Sequence, residues 1–368
     1  MSTAANLSNT TCIPAESAQP ARAALRVQSI AASVILLGIG FYFWIDSRYP
    51  ALLKKLHSGK QISVKGAISF DALLPVTPAM SLLTRIEHTA VNWMWTNRIG
   101  MTFGICFGAA MVTLLATLPR VRFQSAFANT LLGAVGGAPL GVCANCVAPI
   151  GRSLYISGAS SDTVLATMIS SPTLNVVVLA MAFALFPLPI ALTRLAAPLV
   201  LLALVPLLVG KTEPSLVSNS SVALSSGWLP PLGVTLKNYL RNLGKLALTT
   251  IPLMIVAALL GAVLAEALPA SALPSSVSIG GIVLVALLGT FLPVPMGFDV
   301  ALAFILTARG VPTPYVVTLL CTLGAFSIYS VLILGTTISW RTAARVFAAV
   351  MAIGIVAGLG TAIIQHAL

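Results

Sequence analysis

The sequence predicts an all-α integral membrane protein with about 9–11 transmembrane helices, in two pseudo-symmetric, inverted repeats whose helices break near the midplane of the bilayer. Three observations lead there. Of 368 residues, 58% are hydrophobic and 8% charged, with a mean hydropathy of +1.01, so the chain has too little charge to cover a soluble surface. From Ile99 onward apolar runs follow one another in two sets that superpose without a gap. One run that should cross lipid is interrupted from Gly137 to Pro149 by two cysteines, an asparagine, two prolines and two glycines. Proline removes a backbone donor and glycine loosens a helix, so such a stretch survives at membrane depth only inside protein or beside a wet cavity.

The net charge of +12 and pI near 10.0 do not indicate nucleic acid, because the bases lie between apolar runs and are not clustered with aromatics. They fit loops held against an anionic membrane face. The five cysteines form no short secreted pattern, so a disulfide scaffold is not expected. Cys12 lies in a polar tail, Cys106 and Cys321 in apolar runs, and Cys143 and Cys146 form a pair.

Residues 1–26 read as a disordered polar tail. Residues 27–98 begin with an anchor helix, Val27 to Ile45, and continue through a basic segment (Lys54, Lys55, Lys60, Lys65) into an apolar piece broken by Pro75 and Pro78. Asp46-Ser47-Arg48 follows the anchor with no small-residue cleavage signal, which argues against a signal peptide. Trp44, Trp93 and Trp95 fit an interfacial belt, and His88 beside Glu87 fits a solvated loop pair.

Residues 99–210 make membrane repeat 1, 211–245 a polar basic connection with Lys211, Lys237, Arg241 and Lys245, and 246–368 membrane repeat 2. Gly137 falls on Gly289 and Gly158 on Gly310, both at an offset of 152 residues. The same offset pairs Cys143 with Pro295, Asn145 with Gly297, Val147 with Asp299, Pro172 with Gly324 and Asn175 with Ser327. Arg120 and Arg122 follow the first helix of repeat 1, whereas Pro269 to Ser278 carries no base, which under the positive-inside rule favours inversion.

Each repeat holds a helix break. In the first, Ser171 before Pro172 reads as an N-cap with proline at the first helical position, followed by Asn175; the second has Thr322-Leu323-Gly324, then Ser327. Cys143 and Cys146, three apart, point two sulfurs the same way and suit one soft centre such as Cu(I), Zn(II) or trivalent arsenic. Asp299 stands inside an apolar run, while the other acids of the eight in the chain lie in tails, loops or at helix ends. A carboxylate there needs a partner or water and can carry a coupling proton. Met296 offers a thioether. Arg152 and Arg309 read as interface anchors.

At these residues the chain resembles the predicted-permease family that includes the YraQ-like proteins and the ArsP-type organoarsenical efflux permeases. The matching elements are Cys143-Ala-Asn-Cys146-Val147-Ala-Pro149, Gly158-Ala-Ser and Ser171-Pro172-Thr-Leu-Asn175, with a degenerate copy at Pro293-Val-Pro295-Met-Gly297-Phe-Asp299 and Gly310-Val-Pro312. The family pattern is Cys-x-Cys-Gly; this chain has Cys-x-x-Cys, and Pro295 stands where a second-half cysteine would. The resemblance therefore implies a permease of a bacterial plasma (inner, cytoplasmic) membrane without fixing an arsenical cargo.

The expected function is secondary-active transport of a small soft metal, metalloid or organometalloid species. Cys143 and Cys146 would be its ligands, Asn145, Pro149, Ser171, Pro172, Asn175, Met296 and Gly297 would shape the pocket, and Asp299 would carry the proton. No Gly-x-x-x-x-Gly-Lys-Ser/Thr loop is present, so the chain itself has no ATP site of that kind. No cofactor, enzymatic activity or nucleic-acid partner is expected; the partners are the lipid bilayer and the cargo. Two alternatives remain open from the residues: a membrane thiol-disulfide oxidoreductase using Cys143 and Cys146, and a small-anion permease using half-helix N-termini.

Overall fold

The computed structural model describes residues 15–51, 53, 73–118, 123–210, 231–267 and 276–367. Every long regular element among them is a helix. Helix α1, Ala15–Phe43, runs on through a π-turn at Trp44–Arg48. It starts inside the stretch expected as a disordered tail, where Ala21-Arg-Ala-Ala-Leu-Arg26 is a run of strong helix formers. The first set of helices is α2 (Leu82–Leu115), α3 (Ala126–Gly137), α4 (Ala144–Ile156), α5 (Ser161–Thr173), α6 (Val176–Leu185) and α7 (Leu188–Val209). The second is α8 (Pro231–Ala267), α9 (Ile279–Phe291), α10 (Phe298–Ala308), α11 (Thr313–Thr322), α12 (Ile328–Thr337) and α13 (Trp340–Ala367).

The element order repeats. Helices α5, α6 and α7 begin at Ser161, Val176 and Leu188, while α11, α12 and α13 begin at Thr313, Ile328 and Trp340, each pair 152 residues apart. Contacts repeat as well: Gly137 lies against Ser170 in the first set, and at the same offset Gly289 lies against Thr322 in the second. Gly158 and Gly310 both take positive φ, 90° and 78°.

The chain is a multi-pass membrane protein. Among the described residues, five helices are long and apolar enough to cross a bilayer: Ala24–Ala51, Leu82–Leu115, Leu188–Val209, Pro231–Glu266 and Trp340–Gln365. Helices α5 and α6, bent by 41° at their junction, make a sixth span if taken together. Helices α3, α9, α10, α11 and α12 are shorter apolar helices; at 1.5 Å per residue each covers about half to two thirds of a ~30 Å hydrocarbon core. Several apolar runs of the sequence are thus half-length helices instead of full spans.

Two sequence expectations shift. Lys237, Arg241 and Lys245 stand on α8, which starts at Pro231, a residue suited to the first helical position, and do not lie in a connecting segment reaching 245. His88 lies on α2 with Nδ1 2.6 Å from the Pro75 carbonyl, so it is no loop residue. Cys12, Lys54, Lys55, Lys60, Lys65, Arg120, Arg122 and Lys211 fall outside the described residues, as does most of the Pro269–Ser278 loop. The loop-charge argument for inversion goes with them.

One apolar core joins the two sets, with Phe103, Val147, Ile169 and Leu201 from the first and Tyr329, Ile333 and Val346 from the second. Where α2 meets α4, Gly100, Gly104 and Gly108 form a stripe of small residues at helical spacing. They lie against Cys146, its carbonyl and Ser153. Lipid gives packed helices no hydrophobic advantage over dispersed ones, so close backbone approach and dispersion hold them together. A side chain at Gly104 would overlap the Cys146 carbonyl. Gly104→Val is expected to destabilise the protein by about 1–3 kcal/mol, as overpacked cores do, read as a lowered thermal midpoint in detergent.

Candidate functional site

After α3 the chain makes one 3-10 turn, Ala138–Leu140, then Gly141 turns left-handed at φ 58° and Cys143 starts α4 as its N-cap. Cys143 Sγ accepts the Cys146 N–H at 3.2 Å and lies 3.9 Å from Asn97 Oδ1. The spacing of three does bring both sulfurs together, and they are joined as a disulfide. This corrects the expectation of two free thiols: a disulfide offers no thiolate, so the pair becomes a soft ligand set only when reduced. Among the described residues no group of three or more His, Cys, Asp or Glu side chains is placed to hold a metal ion.

The helix break of the first set lies four residues later than its sequence suggests. Pro172 is inside α5, and Asn175 is the N-cap of α6, its Oδ1 accepting the Val177 N–H at 2.9 Å. Ser171 does not cap because its hydroxyl accepts the Val142 N–H at 3.3 Å, which ties the cysteine loop to α5. In the second set Gly324 turns at φ 77° after α11, and Ser327 caps α12 by accepting the Ser330 N–H at 3.3 Å. Asn175 and Ser327, equivalent at the offset of 152, therefore do the same work in both sets.

These caps meet the loops of the opposite set. Asn145, on the first turn of α4, accepts a hydrogen bond from Ser327 Oγ at 2.8 Å and donates to the Val294 carbonyl at 3.1 Å. Ser330 Oγ donates to the Ala144 carbonyl at 3.1 Å. In return Asn175 Nδ2 donates to Met296 Sδ at 2.9 Å, just before Gly297, whose φ of 76° lets α10 begin. The cysteine loop of one set thus docks on the break of the other, and the proline loop of the second set docks on the break of the first. Asn145, Ser171 and Asn175 are fully buried and Ser327 nearly so. The N-termini of α4, α6, α10 and α12 converge here, each bringing the partial positive end of its helix. Ser327→Ala would remove a cap and leave the Asn145 amide oxygen short of its donor. The expected loss is about 2 kcal/mol or more, measured by thermal unfolding in detergent.

Not every expected residue joins this cluster. Pro149 is buried in α4 with its carbonyl taken by Ser153 Oγ at 2.8 Å and turned toward Gly108, so it belongs to the α2 contact. Asp299 pairs instead with Arg194 on α7, Nη2 to Oδ2 2.9 Å. Arg152 reaches Thr336 and Thr337 at 3.4 Å. Trp44 and Trp93 are not simply interfacial: their indole N–H groups hold the two irregular loops, donating to the Pro139 carbonyl at 3.1 Å and the Pro293 carbonyl at 2.6 Å. Of the three, Trp95 alone fits the belt, part-exposed and stacked with Arg98.

Sequence reasoning missed Arg194, Trp44, Trp93 and Asn97 as parts of this region. Arg194 carried a usable signal, a lone charge inside the apolar run Leu188 to Val209; the others needed the tertiary contact. Beside Val294 and Pro295 lies a cavity of about 580 Å³, bounded by Trp93, Ala262, Phe298 and Tyr315 and almost wholly apolar.

Comparison with known proteins places this arrangement. The chain is 26% identical over 237 residues to the UPF0718 protein YraQ of Escherichia coli (strain K12), covering 63% of this chain and 67% of that protein. No solved structure matches it. The profile of ArsP_1, described as a predicted permease, matches residues 75–363, which takes in both helix sets, both breaks and the cysteine loop. The chain belongs to the ArsP_1 predicted-permease family.

Proposed function

We propose that this permease is a secondary-active transporter of a small soft metal, metalloid or organometalloid species, which it takes at Cys143 and Cys146 when they are reduced. The observation that carries the reading is the reciprocal docking of loops on breaks. Asn145 with Ser327 and Asn175 with Met296 put the soft sulfurs of the chain where four half-helices meet across the two sets. Irregular backbone of this kind lines substrate sites in transporters built from repeats. The exchange of equivalent contacts supports a pseudo-twofold relation between the sets, as alternating access about one central site requires. In this reading Asn145, Ser171, Asn175, Met296 and Gly297 shape the pocket, and Asp299 carries the coupling proton.

The test is uptake into sealed vesicles holding the purified protein under reducing conditions, offered Cu(I), Zn(II), arsenite and thiosulfate in turn. Movement of a soft cation or arsenite that requires both thiols supports the reading; movement of thiosulfate alone, or movement that survives loss of both thiols, overturns it. The disulfide at a helix N-terminus favours one second reading, a membrane thiol-disulfide oxidoreductase, since that position stabilises a thiolate. That reading predicts a mixed disulfide trapped at Cys143 or Cys146 and dependence on Cys106 or Cys321, neither of which a permease needs.

A further inference from the structure

Arg194 and Asp299 form an ion pair among the most deeply buried side chains of the molecule, and the pair crosses from one helix set to the other. Arg194 on α7 is 1% exposed and Asp299 on α10 is 2% exposed. Only Nη2 of the guanidinium is engaged; Nε and Nη1 have no hydrogen-bond partner. Arg194 lines a cavity of about 10 Å³ bounded also by Thr173, Ala197, Cys321, Ala325 and Ile353, room for about one water. On its other side the Asp299 carboxylate packs against Gly324, where a Cβ would lie 3.2 Å from Asp299 Cγ. The carboxylate therefore rests directly on the break between α11 and α12.

The fold itself supplies the control for what this position needs. At the offset of 152, Arg194 corresponds to Val346 and Asp299 to Val147, both fully buried in the shared apolar core. The equivalent place is thus filled without any charge. Two ions taken out of water regain little net stability over apolar residues of similar size, so packing does not account for them. Ionisable groups inside a membrane bundle mark sites of movement or exchange.

We infer that Arg194 is the counter-ion that controls the proton site at Asp299, so that protonation of Asp299 unlocks α7 from α10 and releases the break at Gly324. This rests on the permease reading above. With Asp299 ionised the two sets are pinned. A proton from water on one side adds to Asp299 Oδ and cancels the attraction. The guanidinium, released from the carboxylate, can then bind water at that cavity through its free N–H groups, and the proton returns to water on the other side when the pair re-forms. Among the described residues, the helices packed against Asp299 bring no other charge to it. Helix α6 (Val-Val-Val-Leu-Ala-Met-Ala-Phe-Ala-Leu) has no titratable group, α7 brings only Arg194, and α11 brings the thiol of Cys321 and, in its first turn, Tyr315, whose hydroxyl donates to the Ser276 carbonyl.

The first test needs no cargo. Infrared difference spectra of the protein in nanodiscs are compared for wild type, Arg194→Gln and Arg194→Gln/Asp299→Asn. A protonated-carboxyl band at pH 7 in Arg194→Gln, absent from wild type and from the double variant, is expected. The same spectrum at pH 7 in wild type and Arg194→Gln overturns the inference, whatever the cargo is. A circular dichroism spectrum and thermal midpoint for each protein show whether it has folded; Arg194→Met, which keeps Asp299, takes the place of Arg194→Gln if that variant does not fold, and Arg194→Met/Asp299→Leu, which copies the apolar pair of the other set, is the variant used for flux. In vesicles with an imposed pH gradient, that apolar variant is expected to lose all response of arsenite or Cu(I) flux to the gradient. Flux that still follows the gradient overturns the inference, while leaving the soft-cargo reading intact.

Discussion

Cys143→Ser/Cys146→Ser is expected to lower reduced-state flux of the soft cargo by at least about tenfold. A tenfold change needs only ~1.4 kcal/mol, less than two soft sulfur contacts exchanged for hard hydroxyls should forfeit. The fold should survive, because serine is a favoured N-cap and can accept the residue-146 N–H as Cys143 Sγ does. Gly100 and Gly104 pack directly on Cys146, and the smaller serine leaves that contact open. The thermal midpoint is therefore expected to stay near that of the wild type while flux falls. Oxidised wild-type protein should behave like the double variant and regain flux on reduction. Equal flux from oxidised and reduced protein would remove the thiols from the transport path.

Asp299→Leu is expected to destabilise the protein by about 3–5 kcal/mol, because it leaves the Arg194 guanidinium buried and unpaired. Arg194→Met/Asp299→Leu should recover most of that loss, since apolar pairs replace buried ion pairs at little or no cost. The comparison is read from thermal or denaturant unfolding of the three proteins in one detergent. If the double variant is as unstable as the single one, the two side chains contribute separately and the pair is not a unit. The precedent within the molecule is Val147 with Val346, which fill the equivalent positions of the other set.

Composition alone made the class legible: an unbroken succession of apolar runs with so little charge has no soluble solution. The register of the two sets was also readable, because Gly137 and Gly289, like Gly158 and Gly310, mark places where no side chain fits or where φ is positive, and such constraints leave a residue-level trace. The breaks were readable as regions, while their caps were not. Ser171 and Asn175 are both good N-cap residues, and the choice between them fell to a contact with Val142, 29 residues away in the chain. For the same reason Asp299 could be recognised as needing a partner but Arg194 could not be named as that partner. The docking of each loop on the opposite break likewise pairs side chains more than 100 residues apart. Local sequence determines which backbone groups a segment leaves unsatisfied; only the packed helices decide which distant side chain satisfies them.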